Sequence, residues 1–178
     1  MDKFLNQIKN TISKLKTNKI LIIGKGPSLE DFYSYNFKNF FIININDSYK
    51  FYEGDLILLN QPWALNDLNK LKKKQIILSS LDYKGISSKN FYYLKNFEKI
   101  QSTLIGNKSF KNKPLFLVAF ELINKLSINS KKKYDISLLG FDFNFKNLEN
   151  YTSNYLDDLD KNSTSKKKSI LRDQKNLL

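Results

Sequence analysis

The sequence contains no cysteine and no histidine, and Arg172 is its only arginine. Without cysteine, disulfides and thiolate metal sites are excluded. Without histidine, a Ser–His–Asp triad, a Cys–His pair and a histidine-based zinc site are excluded, and the commonest general base is missing. Arginine is the usual side chain for bidentate recognition of bases, so its scarcity argues against sequence-specific DNA binding.

The sequence also lacks long hydrophobic runs, and its charge is strongly one-sided. No stretch approaches the roughly 20 apolar residues that a membrane-spanning helix needs. The apolar residues of the first 19 positions are spaced rather than contiguous, unlike those of a signal peptide. We therefore expect a cytoplasmic protein, and peripheral association with the inner membrane surface is left open. The formal net charge of +13 favours anionic partners such as nucleotides, acidic glycans or lipid headgroups, without selecting one.

The pattern of apolar residues predicts an α/β protein. With 178 residues and 41% hydrophobic content, the chain can bury the core of one domain. Short apolar runs alternate with segments of helical periodicity, which is typical of a mostly parallel sheet. We expect a Rossmann-like fold with helices on both faces of the sheet. Residues 1–150 would form a single nucleotide-binding domain with an N-terminal helix, and residues 151–178 a polar segment with a C-terminal helix.

The individual elements follow from the period of the apolar residues. Helices are predicted over residues 3–16, 27–35 (a short helix or turn), 63–73, 114–126 and 163–178. Strands are predicted over residues 20–23, 39–46, 55–60, 75–79 and 134–139. A loop-rich insert is predicted over residues 82–112, with one short strand near 99–104.

A short glycine-rich turn follows the first predicted strand and is the strongest functional signal. It consists of Gly24, Lys25, Gly26, Pro27 and Ser28. Glycines let the backbone turn sharply and approach a ligand without an intervening Cβ, and proline suits the first position of a helix. The N–H groups of such a helix start can face an anion such as a phosphate. An ordinary turn without a ligand fits the same residues, because a lone Gly-x-Gly is weak evidence.

Polar clusters follow four of the predicted strands, at positions 24–28, 46–48, 60–63 and 140–144. Open α/β sheets bind ligands beyond the carboxyl ends of their strands, so one nucleotide could span all four clusters. Asn46 and Asn60 carry donors and acceptors suited to ribose hydroxyls or a base edge, although asparagine is also a common turn residue. Asp142 could hold a ribose hydroxyl, bind a metal, act as a base or brace the glycine turn. No acidic cluster has the spacing of a metal-binding loop.

Five segments, in this order along the chain, together resemble a known group of enzymes. They are ILIIGKGPSL (20–29), NDSY (46–49), NQP (60–62), the helix after Pro114 and LLGFDF (138–143). On these segments, which span about residues 19–145, the chain resembles the small bacterial sialyltransferases of the Rossmann-like type. It is also similar to the related 6-hydroxymethylpterin pyrophosphokinase-like domains.

The resemblance to the sialyltransferases implies a site for the CMP part of a nucleotide-sugar donor. The residues that it places at the nucleotide are Gly24, Lys25, Gly26, Pro27, Ser28, Asn46 and Asn60. Lys25 stands where that family usually has asparagine, and it could meet a phosphate as a point charge. The family's histidine base and the Thr-Ser-Gly turn before its long helix are missing. Asp142, or a tyrosine such as Tyr151 or Tyr155, would therefore have to serve in catalysis.

Three functional hypotheses follow from the residues and the resemblance. The first is a sialyltransferase-like glycosyltransferase that takes a CMP-linked donor and a glycan acceptor in surface-polysaccharide synthesis. The second is a pterin pyrophosphokinase-like enzyme that uses ATP with Mg²⁺, for which Asp47, Asp55 and Asp142 are the available carboxylates. The third is a catalytically degenerate nucleotide-binding module of a longer protein.

Overall fold

A computed structural model describes residues 2–65, 67–71, 75–83, 90–95, 97 and 115–141. The two α-helices are α1 (Asp2–Leu15) and α2 (Leu115–Ser130). The six strands are β1 (Lys19–Ile23), β2 (Phe41–Ile45), β3 (Leu56–Leu59), β4 (Ile76–Ser79), β5 (Phe91–Tyr93) and β6 (Asp135–Leu139). They form one sheet in the order β5-β4-β3-β2-β1-β6, and every pairing is parallel. The predicted α/β, Rossmann-like fold is confirmed.

The two α-helices cover one face of the sheet. Four apolar residues of α1 are buried (Phe4, Leu5, Ile8 and Ile12), and they pack in one core cluster with the buried side of α2. The strands contribute alternate residues to this cluster, such as Ile20 and Ile22 of β1. The residues between them point to the opposite face, so the central strands are apolar on both sides, as expected of a covered parallel sheet.

Short 3₁₀ helices cover the opposite face. The first, Pro27–Ser34, packs Leu29 and Phe32 against Leu21, Ile23 and Ile42 of the sheet. Three others, Asn46–Lys50, Pro62–Leu65 and Leu68–Lys70, cover the side nearer β3 and β4. Helices therefore lie on both faces, as the sequence predicts, but the α-helices lie on one face only among the described residues.

Each α-helix is followed directly by a lysine with left-handed backbone. Lys16 after α1 and Lys131 after α2 each have a φ of 51°. After α2, the N–H of Lys132 donates to the carbonyl of Ser127 (3.3 Å) and that of Lys131 to the carbonyl of Ile128 (3.4 Å). These two bonds form a Schellman motif, which glycine usually completes. The sequence has no glycine at either of these positions, so the usual signal for the end of a helix is missing.

Among the described residues, one predicted element is of the wrong type. The helix predicted over residues 63–73 is wrong, because the described residues of this stretch form the two 3₁₀ helices Pro62–Leu65 and Leu68–Lys70. The insert contains a short strand, β5, at Phe91–Tyr93, which the sequence did not predict. The strand predicted near residues 99–104 and the helix predicted over 163–178 lie outside the described residues.

The strand order places a topological switch point between β1 and β6. From β1 the chain proceeds through β2, β3 and β4 to β5 on one side, whereas β6 pairs with the other side of β1. In open α/β sheets, the crevice at such a point is the usual ligand site. Within the described part of the chain, no helix is long and apolar enough to cross a membrane.

Candidate functional site at the carboxyl edge of the sheet

Because all pairings are parallel, the residues that follow β1, β2, β3 and β6 lie at one edge of the sheet, which we call the carboxyl edge. The structure thus brings together the glycine turn, Asn46 and Asn60. The predicted catalytic residue Asp142, and the alternatives Tyr151 and Tyr155, lie outside the described residues.

The glycine turn is attached to the end of β6 by three hydrogen bonds. The N–H of Gly24 donates to the carbonyl of Leu139 (2.8 Å), and the N–H of Gly26 donates to the carbonyl of Gly140 (2.7 Å). In return, the N–H of Gly140 donates to Ser28 Oγ (2.9 Å). Two of the N–H groups that the sequence suggested for an anion are therefore used within the protein. The eight-residue 3₁₀ helix that follows has Pro27 in its first turn.

Gly24 and Gly140 are in backbone-to-backbone contact. A Cβ added to Gly24 would lie 2.3 Å from the carbonyl oxygen of Gly140, which no real Cβ tolerates. A Cβ on Gly140 would lie 2.8 Å from the carbonyl carbon of Gly24, and Gly140 has a φ of +75°. From the sequence, Gly24 was interpreted as leaving room for a ligand. The structure gives it a second reason, which is the close approach of β1 and β6 at their ends.

Lys25 forms an ion pair across the edge with Asp47, the second residue after β2. Lys25 Nζ lies 2.6 Å from Asp47 Oδ1, a close charge contact rather than a well-oriented hydrogen bond. The Asp47 side chain is 4% exposed and the Lys25 side chain 22% exposed. The predicted phosphate-binding cation is therefore held by a buried carboxylate. The sequence placed Asp47 in the polar cluster 46–48 and among the carboxylates available for Mg²⁺, but it gave no sign that Asp47 would pair with Lys25.

Asn46 and Asn60 contact each other at the ends of β2 and β3. Asn46 has a φ of 51°, a left-handed conformation that asparagine tolerates better than most residues. Its Oδ1 accepts a hydrogen bond from the backbone N–H of Asn60 (3.1 Å). Asn60 Oδ1 is buried and has no hydrogen-bond partner among the described residues. Asn46 thus has the turn role that its residue type allows, whereas Asn60 presents an unused acceptor.

Asn44 and Ser48 hold the segment after β2 in place. Asn44 is fully buried, donates through Nδ2 to the carbonyl of Tyr52 (2.9 Å) and accepts through Oδ1 from the N–H of Gly54 (2.8 Å). Ser48 Oγ donates to the carbonyl of Ile23 at the end of β1 (2.9 Å). These bonds position Asn46 and Asp47 relative to the glycine turn.

A second set of ion pairs involves Lys50, the last residue of the 3₁₀ helix Asn46–Lys50. Lys50 Nζ and Lys70 Nζ lie 2.6 Å and 2.8 Å from the two carboxylate oxygens of Asp67. Close by, Tyr49 is buried and donates its hydroxyl to the carbonyl of Ala64 (2.9 Å). Burial raises the pKa of the Tyr49 hydroxyl, and the carboxylates of Asp67 and Asp47 raise it further. Tyr49 is therefore a protonated structural donor at neutral pH.

The ion pairs of Asp67 with Lys50 and Lys70 predict the pH at which the Asp67 carboxyl titrates. Hydrogen bonds from the ammonium groups of Lys50 and Lys70 lower the pKa of Asp67 from 3.8 to about 2. Because the folded-state pKa is lowered, this stabilisation is present above pH 3.8 and is lost as the pH falls toward about 2. We expect NMR titration to place the Asp67 carboxyl near pH 2, and Lys50→Gln to raise that pKa. A carboxyl that titrates at 3.8 in the unmodified chain would contradict the observed pairing.

The described residues contain no group of three or more Asp, Glu, His or Cys side chains that could hold a metal ion. Asp47 and Asp55, two of the carboxylates considered for Mg²⁺, lie at opposite edges of the sheet. Asp55 precedes β3 and accepts the N–H of Ile42 through Oδ2 (2.8 Å), whereas Asp47 follows β2. A strand of four residues spans about 13 Å, so these two carboxylates do not fit one magnesium site.

Comparison with known proteins adds no assignment. No protein-family model matched the chain, and neither a curated protein nor a solved structure matched it significantly.

Proposed function

We propose that this chain is a nucleotide-dependent glycosyltransferase of the sialyltransferase-like type. Its donor would be a CMP-linked sugar and its acceptor a glycan, in the synthesis of surface polysaccharide. The nucleotide lies at the carboxyl edge, over the glycine turn and beside Asn46 and Asn60. The observation that carries the proposal is the buried Oδ1 of Asn60, which has no hydrogen-bond partner among the described residues and lies at the same carboxyl edge as the glycine turn.

An unpartnered buried acceptor costs free energy unless a donor reaches it. A nucleotide supplies such donors from its ribose hydroxyls or from the exocyclic amine of cytosine. The amide of Asn60 therefore fixes the nucleoside, while Lys25 in the glycine turn after β1 is the cation available for the phosphate among the residues resembling the family site. In the proposal, Asp142, one position beyond Phe141, takes the proton from the hydroxyl of the glycan that accepts the sugar.

The geometry favours this transferase over the pyrophosphokinase-like alternative. The second function needs several carboxylates on one magnesium-bound diphosphate. Asp55 is engaged at the opposite edge, which leaves Asp47 and Asp142 as the remaining candidates. A CMP-linked donor makes no such demand, because a single phosphate leaves with the nucleoside.

Thermal denaturation with nucleotides tests the proposal. We expect CMP, without Mg²⁺, to raise the midpoint by about 5–10 °C at a concentration one hundredfold above its Kd. UDP and ATP should have smaller effects. Stabilisation by ATP that requires Mg²⁺ would favour the pyrophosphokinase-like function instead, and no response to any nucleotide would contradict both.

Asn60→Ala sharpens the test because it separates binding from folding. Because Asn60 Oδ1 has no partner among the described residues, removing it should leave the midpoint without ligand unchanged or slightly raised, while the CMP-dependent shift is lost. The matched control is Asn69→Ala, since Asn69 is exposed on the 3₁₀ helix Leu68–Lys70. A full CMP shift in Asn60→Ala would show that the nucleotide does not lie against this residue.

A further inference from the structure

The ion pair between Lys25 and Asp47 joins two segments of the candidate site. Lys25 belongs to the glycine turn after β1, and Asp47 to the 3₁₀ helix Asn46–Lys50 after β2. The carboxylate is almost completely buried, whereas the lysine side chain is partly exposed. One partner is therefore fixed within the protein, and the other can reach solvent at the carboxyl edge.

The burial of Asp47 restricts which ligands can attract Lys25. A buried carboxylate that loses its cation is left uncompensated, which is strongly unfavourable. An anion that draws the Lys25 ammonium away must therefore bring hydrogen-bond donors for Asp47 at the same time. Inorganic phosphate at neutral pH offers mainly acceptors, whereas a ribonucleotide carries both a phosphate and the vicinal hydroxyls of its ribose.

We propose that Lys25 and Asp47 form an exchangeable pair that selects ribonucleotides. On binding, the Lys25 ammonium moves from Asp47 to the phosphate, and the Asp47 carboxylate accepts hydrogen bonds from the ribose hydroxyls. In the bound state both charged groups keep a polar partner, because the ammonium contacts the phosphate and the carboxylate accepts hydrogen bonds from the hydroxyls. The inference rests on the proposed nucleotide-binding function and adds the two residues that recognise phosphate and ribose together.

The flanking charges do not have this arrangement. Lys50 and Lys70 share one carboxylate, Asp67, whose side chain is 26% exposed, against 4% for Asp47. Water can solvate Asp67 when either lysine leaves, so no ligand donor is required there. The pair Lys50–Asp67, with the same 2.6 Å separation as Lys25–Asp47, is therefore a matched control.

The test is isothermal titration of the full chain with three probes: CMP, 2′-deoxy-CMP and cytidine. In the unmodified chain, CMP should bind roughly tenfold to hundredfold more tightly than either of the others, the range expected for a hydrogen bond to a charged group. Lys25→Gln should reduce the preference for CMP over cytidine to less than about threefold. Asp47→Asn should reduce the preference for CMP over 2′-deoxy-CMP to a similar level while keeping the preference over cytidine.

Lys25→Gln leaves a buried carboxylate without its cation, so this variant could fail to fold. The double variant Lys25→Gln/Asp47→Asn removes both charges and keeps the test open; it should lose both preferences. Lys50→Gln and Asp67→Asn should change neither. Retention of both preferences in the double variant would overturn the exchange and assign the pair to bracing alone, with nucleotide binding intact. Absence of CMP binding to the unmodified chain would instead overturn the proposed function, and the inference with it.

Discussion

Gly24→Ala is expected to destabilise the protein by about 3 kcal/mol, as much as a severe core substitution. The new Cβ would lie 2.3 Å from the carbonyl oxygen of Gly140. Neither atom belongs to a flexible side chain, so relief requires moving the ends of β1 and β6 apart. That movement would break the hydrogen bonds of Gly24 to Leu139 and of Gly26 to Gly140. Urea denaturation measures the loss as a lower midpoint.

The same contact predicts a comparable loss for Gly140→Ala. Its Cβ would meet the backbone of Gly24, and its φ of +75° adds strain for any residue with a side chain. Ser137→Ala, at an exposed position of β6, is the control and should stay within about 0.5 kcal/mol. If Gly24→Ala has the same urea midpoint as the unmodified chain and only its nucleotide binding is weaker, the glycine is needed for the ligand and not for the contact between the strands.

Asn44→Ala should cost about 3 kcal/mol and should also weaken nucleotide binding. The substitution removes the hydrogen bonds that Asn44 makes with the carbonyl of Tyr52 and with the buried N–H of Gly54. Each orphaned buried group costs about 1–3 kcal/mol. Because Asn44 also contacts Ser48 Oγ (3.3 Å), the segment that carries Asn46 and Asp47 loses part of its support.

Chemical denaturation and CMP titration of the same variant measure both effects. Asn6→Ala, on the exposed side of α1, is the control for the residue type and should be neutral or slightly stabilising, since alanine favours helix. An Asn44→Ala variant as stable as the unmodified chain would mean that water replaces the amide, and that the bonds of Asn44 are not needed to hold the edge.

The strands β1 to β4 could be predicted from the sequence because each contains an apolar run of three or four residues bounded by polar residues or glycine. The apolar residues of β6 are interrupted by Ser137, but they still end at Gly140. The convergence of the glycine turn, Asn46 and Asn60 also follows, since a parallel sheet brings the carboxyl ends of its strands to one edge. The order of the strands in the sheet comes from the structure, because the apolar pattern does not show which strands lie beside β1.

The failures have identifiable physical causes. Leu65, Leu68 and Leu71 recur at intervals of three, which suggested an α-helix, but three residues per turn is the period of a 3₁₀ helix. The short strand β5 is only partly buried and lacks the apolar run that marks the other strands. Lys25 was interpreted as a cation that could meet a phosphate. The sequence cannot show that Asp47, which follows a different strand, forms an ion pair with it.

The bond between Gly140 and Ser28 joins residues 112 positions apart. During synthesis, strands β1 to β5 emerge in the order in which they pair, so each can add to its predecessor at once. The partner on the other side of β1 arrives only after α2 has been made. Contacts between distant positions form slowly, because a large loop must close first. We therefore expect the glycine turn to reach its final shape in the last stage of folding, when most of the sheet already exists.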